Sequence, residues 1–250
     1  MSCHYKSGRR SLFVITCLWL LLSIRWAQAG GPAFQIQYEA ENDYLSAGTA
    51  SWSLTQQDSG WVLQLTTSPS RLVRLAGVGK IVETAVLHAP EPPFKAIAYS
   101  YKDSKRKKKN YSAALAKDTD EIVITRADQS IVIPAGDTGV IDRLSATLAV
   151  STELTRNPEF NSLQFKVLDR NGVRDMVFHN IGVETIRLGK QTYVSHLIES
   201  SRPGSSRKTR TWFAPVGNTE DKQRLLPVKI EQYKKDSLVL RMSLSNYILN

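Results

Sequence analysis

Beyond residue 29 the sequence contains no cysteine; the chain's two, Cys3 and Cys17, both come earlier. That absence removes disulfides, thiol catalysis, zinc–thiolate centres and iron–sulfur clusters from the remaining chain. Histidine is scarce as well, with four in the whole chain. None stands at a His-x-x-x-His or His-Glu-x-x-His spacing, so no metal site is indicated. Acidic residues are missing before Glu39, and the one extended apolar run is Leu12 to Ile24.

What is present at the N-terminus explains those absences. Lys6, Arg9 and Arg10 precede the apolar run, and Ala27-Gln28-Ala29 supplies small residues before Gly30. This is the pattern of a cleaved export signal, with the cut between Ala29 and Gly30. A membrane anchor is the competing reading. Leu12 to Ile24 is too short for a hydrocarbon core of about 30 Å, which takes roughly 20 residues, and Arg25 would fall inside any longer span. Acylation of Cys17 is disfavoured because Thr16 stands where a smaller residue is usual. Removing the leader takes away four basic residues and no acidic ones. The 33 basic residues become 29 against 23 acidic, and the net charge falls from +10 to +6. An exported domain of this size buries enough surface to fold without disulfides. Export without disulfides points to the periplasm of a Gram-negative bacterium. The expected organisation is residues 1–29 as leader and 30–250 as a single β-rich domain, with no membrane span after cleavage.

The mature chain alternates apolar and polar residues with period two. Phe34, Ile36 and Tyr38 interleave with Gln35, Gln37 and Glu39. Similar runs are Trp61 to Leu65, Arg71 to Ala76, Lys80 to Leu87, Phe94 to Tyr101, Glu121 to Thr125 and Ser130 to Ile133. Further runs are Leu163 to Leu168, Val173 to Phe178, Val183 to Leu188, Thr192 to Ile198, Lys208 to Phe213, Val228 to Tyr233 and Leu238 to Leu244. Turn residues such as Asp169-Arg170-Asn171-Gly172 separate them. So many evenly spaced strands predict a mainly β protein: one large, strongly curved antiparallel sheet forming an open barrel or half-barrel. One segment departs from the pattern. Ile141, Leu144, Leu148, Ser151 or Thr152, and Thr155 recur at helical spacing before Asn157-Pro158, which predicts one amphipathic helix near 141–156. Asp142 or Asp137 would cap it, and the concave face of the sheet is the natural place for its apolar side.

Several ordered segments carry a resemblance. They are Phe34-x-Ile36-x-Tyr38, Gly139-Val140-Ile141-Asp142-Arg143-Leu144-Ser145 and Glu184-Thr185-Ile186-Arg187-Leu188-Gly189-Lys190. Arg210-Thr211-Trp212-Phe213-Ala214 and Leu226-Pro227-Val228-Lys229-Ile230-Glu231-Gln232 complete the set. In this order they resemble the exported bacterial family catalogued as domain of unknown function thirty-one-zero-eight. The resemblance implies a periplasmic β-sheet protein with no established activity or cofactor and no agreed catalytic residues.

Candidate functional residues are cationic. Lys105-Arg106-Lys107-Lys108-Lys109 would concentrate anions such as acidic headgroups, or it is a solvated hairpin tip. A second cluster holds Arg202, Arg207, Lys208 and Arg210 beside Trp212. Arginine's planar fork suits carboxylate or phosphate, and an indole adds stacking. Arg210, Trp212 and Arg207 are therefore the expected ligand-binding residues, weighed against a merely charged outer face. Asp142 beside Ser145 lacks a histidine partner and a Gly-x-Ser-x-Gly elbow, so capping and an Arg143 ion pair account for that motif. Asp169, Asn171 and Asp175 lack the Gly and Glu placement of a calcium loop. No catalytic residue, metal site or cofactor is expected, and nucleic acid is excluded as a partner by export. Two readings of function follow. One is a non-enzymatic carrier for a lipid-like or other amphipathic, anionic envelope molecule. The other is an envelope scaffold that contacts proteins and has a filled core.

Overall fold

The period-two patterns become strands of one sheet in the computed structural model, which describes residues 32–42, 45–58, 60–91, 96–115, 121–127, 129–134, 139–217 and 224–249. The proposed leader, its cleavage site at Ala29 and Gly30, and the alternative cap Asp137 lie outside the described residues. The first strands are β1 (Pro32–Asn42), β2 (Leu45–Gln57), β3 (Gly60–Pro69), β4 (Ile81–Leu87) and β5 (Ala96–Asp103). Next come β6 (Tyr111–Leu115), β7 (Glu121–Arg126), β8 (Gln129–Pro134), β9 (Ser162–Asp169) and β10 (Gly172–Leu188). The last are β11 (Gln191–Ser201), β12 (Arg207–Val216), β13 (Arg224–Lys234) and β14 (Ser237–Leu249). Among the described residues two α-helices interrupt them, α1 (Arg71–Leu75) and α2 (Arg143–Arg156).

All fourteen strands lie in a single antiparallel sheet, in the order β8 back to β1, then β14 back to β9. Two meanders, β1–β8 and β9–β14, are therefore joined by pairing of the first strand with the last. The edges β8 and β9 do not pair with each other, so the curved sheet stays open. Those two edges are consecutive in sequence, and α2 is the segment that connects them.

α2 fills the space between the two wings. Leu144 and Leu148, one turn apart, join the larger apolar cluster with Phe34, Ile36, Leu63 and Ala85. Ala146, Val150 and Leu154, on the opposite side of the helix, join a smaller cluster with Phe178, Ile198 and Phe213. The predicted single apolar face is thus two faces, as expected for a helix buried between layers. Each fully buried side chain of this size contributes about 1.5–3 kcal/mol relative to exposure. Asp142 caps the start. Its carboxylate accepts the N–H groups of Leu144 (2.8 Å) and Ser145 (3.0 Å) and the hydroxyl of Ser145. Arg143 pairs with Glu83 of β4 at 2.6 Å, and the Ser151 hydroxyl donates to the Leu225 carbonyl of β13. The helix is thereby fastened to both wings, and Asp142 and Ser145 serve structure.

The expected fold class and helix position hold, with local corrections. Arg71 to Ala76, expected as a strand, is helix α1. Ser70 caps it by accepting from Val73 N–H, and Gly77 follows its end at φ +85°. Val73 and Leu75 alternate with Leu72 and Arg74 in a way that fits either period over so short a run. Val173 to Phe178 and Val183 to Leu188 are one strand, β10. A register shift between Asn180 and Gly182 absorbs the apparent break, and the Asn180 side chain accepts the Gly182 N–H at 3.1 Å. Strands β2 and β6 were unanticipated. No helix among the described residues is long and apolar enough to cross a membrane.

Candidate functional site

In a meander, alternate turns fall at the same end of the sheet. The turns β5–β6, β9–β10, β11–β12 and β13–β14 therefore share one rim, together with the N-terminus of α2. They line an open cavity of about 520 Å3. The turn β5–β6 contributes Lys109, and its flanking strands give Tyr101 and Tyr111; α2 adds Arg143. Hairpin β9–β10 provides Val167, Asp169, Arg170, Arg174 and Met176. Hairpin β11–β12 brings Arg202, Arg207 and Lys208, and β13–β14 brings Tyr233, Lys234 and Val239. Eight cationic side chains thus line the mouth against one carboxylate, Asp169. The two basic clusters, far apart in sequence, meet here.

The eight are not equivalent. Arg143 is neutralised by Glu83, which also accepts the Tyr99 hydroxyl at 2.5 Å. Glu83 beside it raises the pKa of Arg143 well above its ordinary value, so it stays charged. Arg174 and Arg202 share Asp169 at 3.7 and 3.5 Å. Asp169 also accepts the Asn171 N–H at 2.6 Å, which fixes the hairpin turn. Lys208 divides itself between Asp236 at 3.1 Å and Glu199 at 3.9 Å. Among the described residues, Lys109, Arg170, Arg207 and Lys234 have no carboxylate within ion-pair distance. The Nε of Arg170 is buried and lacks a hydrogen-bond partner. An orphaned buried donor is costly enough to need an explanation, and an anion in the mouth would supply one.

One wall is aromatic. The Tyr101 and Tyr111 rings stack with centroids 5.9 Å apart, and the Arg143 guanidinium lies 5.9 Å from the Tyr101 centroid. Burial pushes the Tyr111 hydroxyl up to about 12 and raises Tyr101 as well. Both therefore stay neutral and can donate hydrogen bonds across the physiological range. The lining contains no histidine or cysteine, and no cluster of three metal-ligating side chains occurs among the described residues. Cationic rim, aromatic wall and patches of Val167, Met176 and Val239 make a surface suited to binding an anion with an apolar portion.

The three expected ligand residues separate. Arg207 lines the mouth. Arg210 does not: Glu199 holds its Nε at 2.8 Å, and the Tyr233 ring lies 5.5 Å away. Hydrogen bonding to Glu199 raises its pKa further. Trp212 is 4% exposed, with its N–H donated to Glu184 and the Lys229 ammonium 4.1 Å from its ring centroid. Neither belongs to the lining of the mouth, and each is engaged by a carboxylate. Sequence reasoning missed Arg170, Arg174 and the tyrosine wall. Turn parity, counted along the predicted meander, was the signal that would have grouped them.

A family model described as a protein of unknown function (DUF3108) matches residues 33–243. No curated protein matches the chain. Among solved structures, it is similar to the β-barrel-like protein of another family of unknown function, DUF1849, from Brucella abortus. The TM-score is 0.55 at 10% identity, covering 88% of this chain and 98% of that one.

Proposed function

The chain belongs to the DUF3108 family of proteins of unknown function, and from that premise we propose a non-catalytic binding module of the periplasm whose ligand is an anionic amphiphile held in the basic mouth. The observation that carries this reading is the set of four cations without a carboxylate partner, Lys109, Arg170, Arg207 and Lys234, around a cavity of about 520 Å3. That volume lies within the usual range for small-molecule sites, roughly 300–1,000 Å3. Because α2 fills the space between the wings, the ligand sits at one end rather than along the sheet. An acyl or aromatic portion meets Tyr101, Tyr111, Met176 and Val239, and the anionic group meets Arg170, Arg207 and Lys234.

The test uses dihexanoylphosphatidylglycerol below its micellar concentration, with dihexanoylphosphatidylcholine as the uncharged counterpart, followed by calorimetry. The anionic probe is expected to bind, and added salt to weaken it. Replacing Arg170 and Arg207 together by Ala is expected to lower affinity at least about tenfold, or about 1.4 kcal/mol. Equal binding of the two probes, or no effect of the double substitution, would overturn the reading. Native mass spectrometry of protein taken from the periplasm tests the compartment and any carried molecule together.

The alternative, a scaffold that contacts other envelope proteins, is favoured by one observation. Hairpin β10–β11 exposes Ile181, Val183 and Val194 at 56%, 57% and 63%. Photo-crosslinking from Val183 in intact cells would capture a partner on that reading, whereas the amphiphile would leave Val183 uncrosslinked.

A further inference from the structure

The same rim that carries the mouth also presents leucines to solvent. Leu72 and Leu75 of α1 are 76% and 78% exposed, and Leu45 at the start of β2 is 72% exposed. No residue of α1 is buried, so its own packing does not explain its leucines. The short helix is nevertheless tied down. The Ser70 hydroxyl donates to the Ser46 carbonyl at 2.9 Å, and the Ser70 N–H donates to Ala47 at 2.8 Å. These bonds set α1 against the chain beside Leu45. Gly48 closes the contact, because a Cβ there would come within 2.0 Å of the Ser68 carbonyl. The outcome is a fixed apolar tip, with Arg71 and Arg74 interleaved among its leucines.

The basic turn adjoins this tip. Ser104 N–H donates to the Lys80 carbonyl at 2.9 Å. At Gly79 a Cβ would fall 2.7 Å from the Lys105 nitrogen, so only glycine permits the close approach. The turn is built rather than loose. Buried Asp103 accepts the N–H groups of Lys105 (3.0 Å) and Arg106 (2.9 Å) and the Arg106 guanidinium (2.8 Å). Asn110 accepts the Asp103 N–H at 2.7 Å, and Lys107–Lys109 form a 3-10 turn. Lys107, Lys108 and Lys109 are all exposed.

We infer that this rim docks on an anionic lipid bilayer, with Leu45, Leu72 and Leu75 entering the headgroup boundary and the flanking Arg and Lys side chains lying over acidic headgroups. Stable attachment to a bilayer takes two signals, an apolar insertion and a polybasic patch, because either alone is weak. Here both stand side by side, held rigid by separate hydrogen-bond sets. Fixed exposed leucines among arginines match the depth profile of an interface, where apolar groups sit below and cations above. Docking goes beyond ligand binding, and it turns the mouth toward the lipid, since Lys109 belongs to both the turn and the cavity lining.

Sedimentation with vesicles of phosphatidylcholine, with and without phosphatidylglycerol, tests the inference on the chain from Gly30 to Asn250, without the apolar leader. The protein is expected to pellet with anionic vesicles and to remain in solution with neutral ones. Leu72→Ser with Leu75→Ser, and separately Lys107→Gln with Lys108→Gln, are each expected to weaken partitioning on the order of tenfold. A Leu72→Trp chain is expected to be quenched by lipids brominated on their acyl chains. Wild-type protein that ignores anionic vesicles, or a double serine variant that partitions as the wild type does, overturns docking. Binding of the soluble dihexanoyl probe by the serine variant shows that the fold and the mouth persist. A wild type that binds that probe but no vesicle therefore sinks docking alone.

Discussion

Arg207 and Arg210 stand three positions apart on β12, yet they meet opposite fates. Arg210 lies in a cross-strand ladder. Register places it beside Glu199 on β11 and Glu231 on β13, and Glu231 in turn beside Arg241 on β14. Every cation in that ladder has a carboxylate, with Glu231 held at 2.8 Å by Arg241 and at 3.0 Å by Lys229. Arg207 sits where the strand leaves its hairpin, among like charges. The comparison teaches that clustering of basic residues is a poor guide to a site. What matters is whether the fold supplies counter-charges, because a paired cation is spent on structure and an unpaired one remains for a ligand.

The comparison can be broken most forcefully at Glu231, which is 4% exposed. Glu231→Ala leaves Arg241 and Lys229 without their shared partner. The cost is expected near 2–3 kcal/mol, less than a fully buried pair because both cations reach water. Chemical denaturation checks this, and binding of the dihexanoyl probe should change far less than on loss of Arg170 and Arg207, since of the mouth lining only Tyr233 loses a partner. A pH dependence goes with it. Burial works against the Glu231 charge, but hydrogen bonds from Tyr233, Arg241 and Lys229 outweigh it and hold its pKa below the ordinary 4.5. The unfolded chain therefore binds this proton first on acidification. The stability from Glu231 is fully present above about 4.5 and is lost as pH falls through the folded value. Denaturant midpoints measured across that window should fall less steeply in Glu231→Gln than in the wild type.

Asp142 separates capping from charge. Removing the cap in Asp142→Ala is expected to cost about 2 kcal/mol, by loss of helix-start hydrogen bonds in a buried setting. Asp142→Asn keeps an acceptor there and should cost under about 0.5 kcal/mol. Thermal unfolding of the two variants distinguishes them. The charge itself adds little, since burial raises the Asp142 pKa despite its hydrogen bonds.

The unpaired set should behave in the opposite way to Glu231. Arg170→Ala with Arg207→Ala is expected to change stability by no more than about 0.5 kcal/mol, while affinity for the probe falls at least about tenfold. A variant that loses both stability and binding would place these arginines with the ladder. The smallest effect is expected at the β13–β14 turn. Lys235 and Asp236 both adopt positive φ, +49° and +62°, a conformation that suits Asn-Gly in a two-residue hairpin. Lys235→Asn with Asp236→Gly should raise stability by roughly 0.5–1 kcal/mol in a denaturant titration. It also frees Lys208 from Asp236 and should tighten the probe slightly.

The strand alternation and the single long helix were legible because each depends on local period alone. Phe34, Ile36 and Tyr38 are buried as their spacing demanded. α1 escaped because five residues cannot distinguish period two from 3.6, although Ser70 before it and Gly77 after it were readable caps. β2 was hidden by its serines and threonines, yet Ala50, Trp52 and Leu54 alternate inward. The basic clusters were also visible, but their meeting depends on register and turn parity. Arg210 and Trp212 attracted attention for their chemical type, whereas Glu199 and Glu184, which occupy them, lie on other strands.

The pairing of β1 with β14 has a kinetic meaning. The seam at the middle of the sheet is made by the residues farthest apart in sequence, as Phe34 opposite Leu249 shows. Each meander can begin to zip through neighbouring hairpins, but the seam must wait until the last strand exists. Contacts of such separation form slowly, after a large loop has closed. A chain made from its N-terminus would thus keep its two wings unjoined until β14 had emerged.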